Sequence, residues 1–195
     1  MRRWAVLTTG LLLIPVPTFG QSTVGDWITD SRTGCKVWDP NPQPNESVTW
    51  SGACRNGLAQ GRGVLQWFQD GKPSEHGEGE WRDGMRTGHG MYTMANGERY
   101  DGEWRDGYKN GHGVKTWADG SRYDGGWLDD ERHGRGSDVL ADGSRYDGEW
   151  RDDLPDGLGT AVWPNGTTVT GTWVNGCYHN GNQTASFGVA LTSCQ

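Results

Sequence analysis

Five tryptophans, Trp81, Trp104, Trp127, Trp150 and Trp173, stand 23 residues apart, each two residues after a glycine. A fixed period of this kind marks one supersecondary unit stacked on copies of itself, since a single unit cannot bury its apolar face alone. The cleanest copy reads Tyr100-Asp101-Gly102-Glu103-Trp104-Arg105-Asp106-Gly107, then Gly111-His112-Gly113, Trp117 and Asp119-Gly120. Tyr123, Gly125, Trp127, Gly134, Gly136 and Gly143 repeat it, as do Tyr146, Gly148, Trp150, Gly157, Gly159 and Gly166. A looser copy carries Gly79, Trp81, Gly84, Gly88, Gly90 and Gly97, and the last stops after Val169, Gly171, Trp173 and Gly176. The first has Trp50, Gly52, Gly57, Gly61, Gly63 and Gly71, with Cys54 where the others place Trp.

Each unit reads as a β-hairpin. The period-2 pleat of Tyr100-Asp101-Gly102-Glu103-Trp104 puts Tyr, Gly and Trp on one face and the two acids on the other. Asp106-Gly107 supplies a turn, because Gly accepts positive φ and Asp tolerates it. On the return strand Gly111 and Gly113 leave room for an aromatic ring from the neighbouring strand to lie over bare backbone. A second turn at Asp119-Gly120 leads into the next hairpin, with equivalents at Asp70-Gly71, Asn96-Gly97, Asp142-Gly143 and Asn165-Gly166. The expected fold is an all-β, elongated antiparallel meander, a single layer with one aromatic face.

The frame Tyr-x-Gly-x-Trp-x-x-Gly-x-x-x-Gly-x-Gly closely resembles the MORN (membrane occupation and recognition nexus) repeat over residues 49 to 176. That resemblance implies a twisted hairpin solenoid with an aromatic-lined groove, serving as a protein-interaction or membrane-associating module. Some positions depart from the frame. Asp130 and Asp153 replace turn glycines, and the first strand-glycine interval is 27 residues, with the excess around Lys72-Pro73-Ser74-Glu75, where a looser joint or bulge is expected.

Around the array the chain divides into a leader at 1–20, an amino-terminal cap at 21–48, about six repeat units at 49–176 with the last partial, and a carboxy-terminal cap at 177–195. Met1-Arg2-Arg3, an apolar run from Trp4 to Phe19 and Gly20-Gln21-Ser22 read as a signal peptide. The run is interrupted by Thr8, Thr9, Pro15 and Pro17, and is shorter than the roughly 20 residues of a spanning helix. The expected location is therefore exported, periplasmic or extracellular. The proline-rich stretch from Cys35 to Pro44 and the tail from Cys177 onward are placed to cover the open sheet edges.

Cys35, Cys54, Cys177 and Cys194 flank the repeats, and an even count in an exported chain reads as disulfides. Cys54 and Cys177 are five repeats apart, about 48 Å at two strands per repeat. A disulfide needs Cα atoms within roughly 7 Å, so the pairs are Cys35 with Cys54 and Cys177 with Cys194.

Composition narrows function. Hydrophobic residues are only 32% of the chain while glycine numbers 33, too little apolar mass for a thick core. Loss of Arg2 and Arg3 with the leader would leave 18 basic residues less two against 25 acidic ones. Nucleic acid is thereby disfavoured, as is an electrostatic hold on anionic lipid, so membrane association rests on the family resemblance and not on charge.

The row Trp81, Trp104, Trp127, Trp150 and Trp173 is read as structural packing, each ring completed by the glycine strand beside it, since like positions are about 9.6 Å apart. Tyr100, Tyr123, Tyr146, Trp67, Trp117 and Trp163 are expected to be partly exposed and to form a groove for a protein or a cell-envelope polymer. Opposite them, Arg99-Asp101-Glu103-Arg105, Arg122-Asp124 and Arg145-Asp147-Glu149-Arg151 read as a solvated face of compensating charge. The clusters Asp129-Asp130-Glu131 and Asp152-Asp153 with Asp156 match no calcium loop, and His89 and His112 are spaced too widely for one zinc ion. No nucleophile elbow, phosphate loop or His-Glu-x-x-His motif is present. The leading expectation is an exported, non-catalytic binding module without a cofactor and of undefined oligomeric state. The alternatives are a small envelope hydrolase or carbohydrate-active enzyme using the Asp129 to Asp156 edge, and peripheral membrane association.

Overall fold

The computed structural model describes residues 25–181 and 183–194, and the leader expected at 1–20 lies outside them. The fold is all-β, one open sheet of 16 strands that pair antiparallel throughout except at one bridge. Strands β1 (Asp26–Thr29) and β2 (Lys36–Asp39) form a hairpin. Strands β3 (Glu46–Trp50) and β4 (Ala53–Arg55) pair with two halves of β5 (Leu58–Gln69), and β2 touches β5 in parallel where Lys36 faces Leu58. An uninterrupted meander follows through β6 (Lys72–Arg82), β7 (Met85–Met94), β8 (Arg99–Arg105), β9 (Tyr108–Thr116) and β10 (Arg122–Leu128). It continues through β11 (Glu131–Val139), β12 (Arg145–Arg151), β13 (Leu154–Val162), β14 (Thr168–Val174), β15 (Cys177–Asn180) and β16 (Gln183–Ser186) to a 3-10 turn at Leu191–Cys194.

Two kinds of turn alternate along the meander. The tip of each hairpin is a two-residue turn with both φ positive, as at Asp106 (50°) and Gly107 (91°) or Asp129 (49°) and Asp130 (74°), the type I′ geometry that matches strand twist. Between repeats the loop is longer: Gly120 N–H donates to Trp117 O at 3.0 Å, Trp117 N–H to Ser121 O at 2.9 Å, and only the glycine has positive φ. Asp70-Gly71 resembles this second class in sequence but folds as a type I′ pair, with φ of 51° and 74°. The lengthened first interval goes into the strands instead, giving β5 12 residues and β6 11, with a bulge where Gln66 and Phe68 face His76 and Pro73.

The tips also stack on one another. The second tip residue donates its N–H to a carbonyl of the preceding hairpin: Gly107 to Arg86 at 3.0 Å, Asp130 to Lys109 at 3.1 Å, Asp153 to Arg132 at 3.2 Å and Gly176 to Pro155 at 2.8 Å. Both ends of the chain extend this ladder, Trp38 N–H bonding Gly84 O at 2.9 Å and Phe187 N–H bonding Gly176 O at 2.9 Å. Each terminal segment is also pinned by a disulfide, Cys35–Cys54 with Cα atoms 5.7 Å apart and Cys177–Cys194 at 5.4 Å. In the amino-terminal segment, the buried Asp30 carboxylate accepts from Trp50 N at 2.9 Å and from the Arg32 guanidinium. Burial alone would raise its pKa, but these hydrogen bonds hold it far below the usual carboxylate range.

The core is an aromatic zipper on one face of the sheet. Like tryptophans do not touch, because a tyrosine sits between them edge-to-face: Tyr123 lies 5.2 Å from Trp127 and 5.4 Å from Trp150, and Tyr146 lies 5.1 Å from Trp150 and 5.4 Å from Trp173. Their polar handles donate to backbone carbonyls, the Trp104, Trp127, Trp150 and Trp173 indoles to glycine and the tyrosine hydroxyls to the residue three positions on. Trp127 Nε1 donates to Gly113 O at 3.0 Å and Trp150 Nε1 to Gly136 O at 3.1 Å, while Tyr123 Oη donates to Gly126 O at 2.9 Å. The Tyr123 ring covers Gly136, where any Cβ would overlap it. In the units of Tyr100, Tyr123 and Tyr146, the second return-strand glycine is thus the seat for the ring, and the first, such as Gly134 at φ 71°, serves a bulge.

Candidate binding cleft

The zipper is not continuous. Buried side chains form two clusters, one from Cys35 to Trp81 and one from Tyr100 to Phe187, with Tyr92 packed against both. The break has a cause in the sequence: Gly77 stands in the repeat column that holds Tyr100, Tyr123 and Tyr146 elsewhere. With no tyrosine to bridge Trp81 and Trp104, the gap is spanned by the Arg86 guanidinium, 5.9 Å from the Trp81 ring, 5.0 Å from Trp104 and 4.0 Å from Tyr92. A Cβ at position 77 would lie 3.3 Å from the Tyr92 ring and 3.5 Å from an Arg86 nitrogen, so these two side chains occupy the space beside Gly77.

Over this break the amino-terminal segment forms one wall and the sheet the floor of a cleft of about 510 Å³. Trp38, Asp39 and Glu46 come from the wall, and Trp67, Glu75 and Arg86 from the sheet. The size falls within the usual range of small-ligand sites.

Arg86 belongs to a second repeat column, whose other cations are Lys109 and Arg132 and which ends in Pro155 and Tyr178. All three cations lie over zipper rings, Lys109 Nζ 5.4 Å from Trp127 and the Arg132 guanidinium 4.3 Å from Trp150. Lys109 Nζ also meets Asp130 at 2.7 Å, and Arg132 meets Asp153 at 3.0 Å and the buried Asp138 at 2.7 Å. The two turn aspartates that depart from the repeat frame are therefore counter-ions for this column. Beneath Arg86 the corresponding residue is Gly107, whose N–H bonds the Arg86 carbonyl, and among the described residues the Arg86 guanidinium makes no hydrogen bond or ion pair. Burial pulls its pKa down to about 10, against the opposing pull of Glu75, Asp39 and Asp130, so it stays charged at neutral pH.

The acids of the cleft are perturbed in the opposite sense. Glu46, which accepts from Gln43 N at 3.1 Å, is pushed up to about 7 by burial and by the neighbouring Asp39 carboxyl. Glu75 is raised by burial, with Arg86 offsetting part of the effect. Trp67 Nε1 is buried without a hydrogen-bond partner among the described residues. Four other ionic groups lining the cleft are internally paired, Lys109 with Asp130 and Lys115 with Glu98 at 3.6 Å, while Arg99 meets only the Met91 sulfur.

The structure corrects the expected groove in several respects. Tyr100, Tyr123 and Tyr146 are 2%, 0% and 0% exposed, because the zipper needs each as the spacer between tryptophans. Trp67 is buried too, while Trp117 and Trp163 are half-buried. These side chains are not brought together in one site. Tyr100 and Trp67 line the cleft, whereas Trp163 lines a separate depression of about 270 Å³ beside Val169 and Leu191. Trp81, Trp104, Trp127, Trp150 and Trp173 are all buried, as packing residues should be.

At the acidic tip edge, Asp129 accepts from Asn110 at 2.9 Å, Asp156 pairs with Arg151, and Asp130 and Asp153 pair as described, so these carboxylates are occupied in holding neighbouring hairpins. Arg86, Gly77 and Gly107 were missed in reading the sequence, although aligning the repeats by column exposes all three. Asp39, Glu46 and Glu75 carry no such signal, since only the folded cap brings the first two over the sheet.

Among the described residues no helix is long and apolar enough to cross a membrane. No curated protein matches the chain. The family model of the MORN repeat matches residues 52–72, 78–99, 100–122, 123–145 and 146–168, more than half of the sequence, and the chain belongs to the MORN-repeat family.

Proposed function

We propose that the protein is an exported, non-catalytic binding module that holds a protein or a cell-envelope polymer in the cleft between its amino-terminal segment and the first repeats. MORN repeats generally serve as protein or membrane interaction modules, which supports a binding role. One observation carries the placement: at this single break in the zipper, a guanidinium without a counter-ion lies over aromatic rings in a concave space. Two disulfides near the ends of the array accord with an oxidising compartment.

The test is a pull-down from envelope extract with the oxidised chain lacking residues 1–20, beside an Arg86→Gln variant of unchanged near-UV circular dichroism. A partner captured by the parent and lost in the variant supports the cleft. A partner retained equally by both moves binding to the charged face or the caps. Peripheral membrane association predicts flotation with vesicles, and strengthening by anionic lipid would contradict the exclusion drawn from net charge.

A further inference from the structure

The ligand class can be narrowed from the polar groups in the cleft, granting that the cleft is the binding site. Once Lys109–Asp130 and Lys115–Glu98 are set aside as pairs, the cleft presents Arg86 and, at its edge, Arg99 as donors and Asp39, Glu46 and Glu75 as acceptors. A carboxylate ligand drawn to Arg86 meets three acids, and an ammonium drawn to the acids meets the guanidinium. A neutral ligand whose groups both donate and accept suits both sets. Hydroxyl groups do this.

The remaining surface is aromatic. Trp38 is half-buried on the wall, and Trp67, with its unpartnered buried Nε1, lies on the floor. Rings of this kind pack against an apolar face while polar groups around the rim fix orientation. We infer that the cleft binds a neutral pyranose segment of a glycan, with Arg86 and the Asp39, Glu46 and Glu75 carboxyls on its hydroxyls and the half-buried Trp38 ring against its C–H face.

The repeat supplies an unusually direct variant. Gly107→Asp places a carboxylate where Asp130 and Asp153 already stand beneath Lys109 and Arg132. A Cβ at position 107 would lie 3.7 Å from Trp38, an ordinary contact, and aspartate already adopts positive φ at both equivalent positions. The substitution gives Arg86 a counter-ion and, although Gly107 itself lines the cleft, keeps every charged and aromatic side chain there.

The experiment is calorimetric titration with neutral oligomers of glucose, mannose and N-acetylglucosamine, beside oligogalacturonate as the anionic counterpart and oligoglucosamine as the cationic one. The expected result is binding of at least one neutral oligomer in preference to both charged ones. Arg86→Gln and Gly107→Asp should each weaken it about tenfold or more, the scale of one charge-assisted hydrogen bond. A preference for a charged oligomer, or unaltered affinity in both variants, overturns the inference. If no oligomer binds, a photo-crosslinker at Gln43 exposed to envelope extract separates the two failures. A crosslinked protein overturns the glycan inference and keeps the binding cleft, while no crosslink overturns both.

Discussion

The two aromatic clusters are built from the same repeat, yet one end of the molecule is a sealed zipper and the other holds a cleft. From Tyr100 to Trp173 the tyrosine column is filled in the same way, tyrosine between tryptophans and glycine under the tyrosine, and in its first two repeats Lys109 and Arg132 lie over the rings with aspartate beneath them. Around Arg86 two columns change at once, tyrosine to Gly77 and aspartate to Gly107. A repeat array can thus carry a site by omission. Neighbouring units keep the scaffold rigid while a few missing side chains leave room and an unspent charge.

The sharpest way to break the sealed half is Gly136→Ala, because the added methyl overlaps the Tyr123 ring that the position seats. The expected cost is about 3 kcal/mol, read as a loss in denaturant midpoint. Gly134→Ala, two residues away with open space around it but φ of 71°, should cost only about 1 kcal/mol. Equal costs would refute the division between ring seat and bulge.

The wall of the cleft depends on Asp30. Asp30→Ala leaves Trp50 N–H and Arg32 without their acceptor, for an expected loss of about 2 to 3 kcal/mol on chemical unfolding. The same variant should loosen the segment that carries Trp38 and Asp39, detectable as faster amide exchange at Trp38 than in the repeats.

A pH comparison separates the halves further. Glu46 binds its proton more tightly folded than unfolded, so its contribution is fully present below its unfolded pKa and is lost as pH rises through about 7. Glu46→Gln removes that titration. The variant should gain stability relative to the parent between roughly pH 5 and pH 8, with the difference vanishing at the acid end. A pH-independent difference would mean that the Glu46 carboxyl is not perturbed by its burial beside Asp39. The smallest expected effect lies in the zipper, where Tyr123→Phe loses one hydrogen bond to Gly126 O and keeps the ring, for about 1 kcal/mol.

Much of this architecture is legible in the sequence because the repeat restates it. The meander, the glycine-seated rings and both disulfide pairings follow from periodicity and from distances along a stacked sheet. The tyrosines were misjudged because a pleat assigns a face and not a degree of burial: Tyr100, Tyr123 and Tyr146 share the tryptophan face and fill the spaces between its rings. The two classes of Asp-Gly turn were indistinguishable as dipeptides, since loop length and not residue type sets whether Asp takes positive φ. The cleft was hidden for a different reason. One wall of it comes from residues 38–46, a segment outside the repeat tied by the bond from Trp38 to the tip at Gly84.

The most direct measurement is a double-mutant cycle of unfolding free energies on Gly107→Asp and Arg86→Gln. If Arg86 lacks only the counter-ion that Lys109 and Arg132 possess, Gly107→Asp should be more favourable in the parent than in the Arg86→Gln background, with a coupling of about 1 kcal/mol. A coupling near zero would contradict that reading: the absence of aspartate at position 107 would then not be what leaves Arg86 free for a ligand.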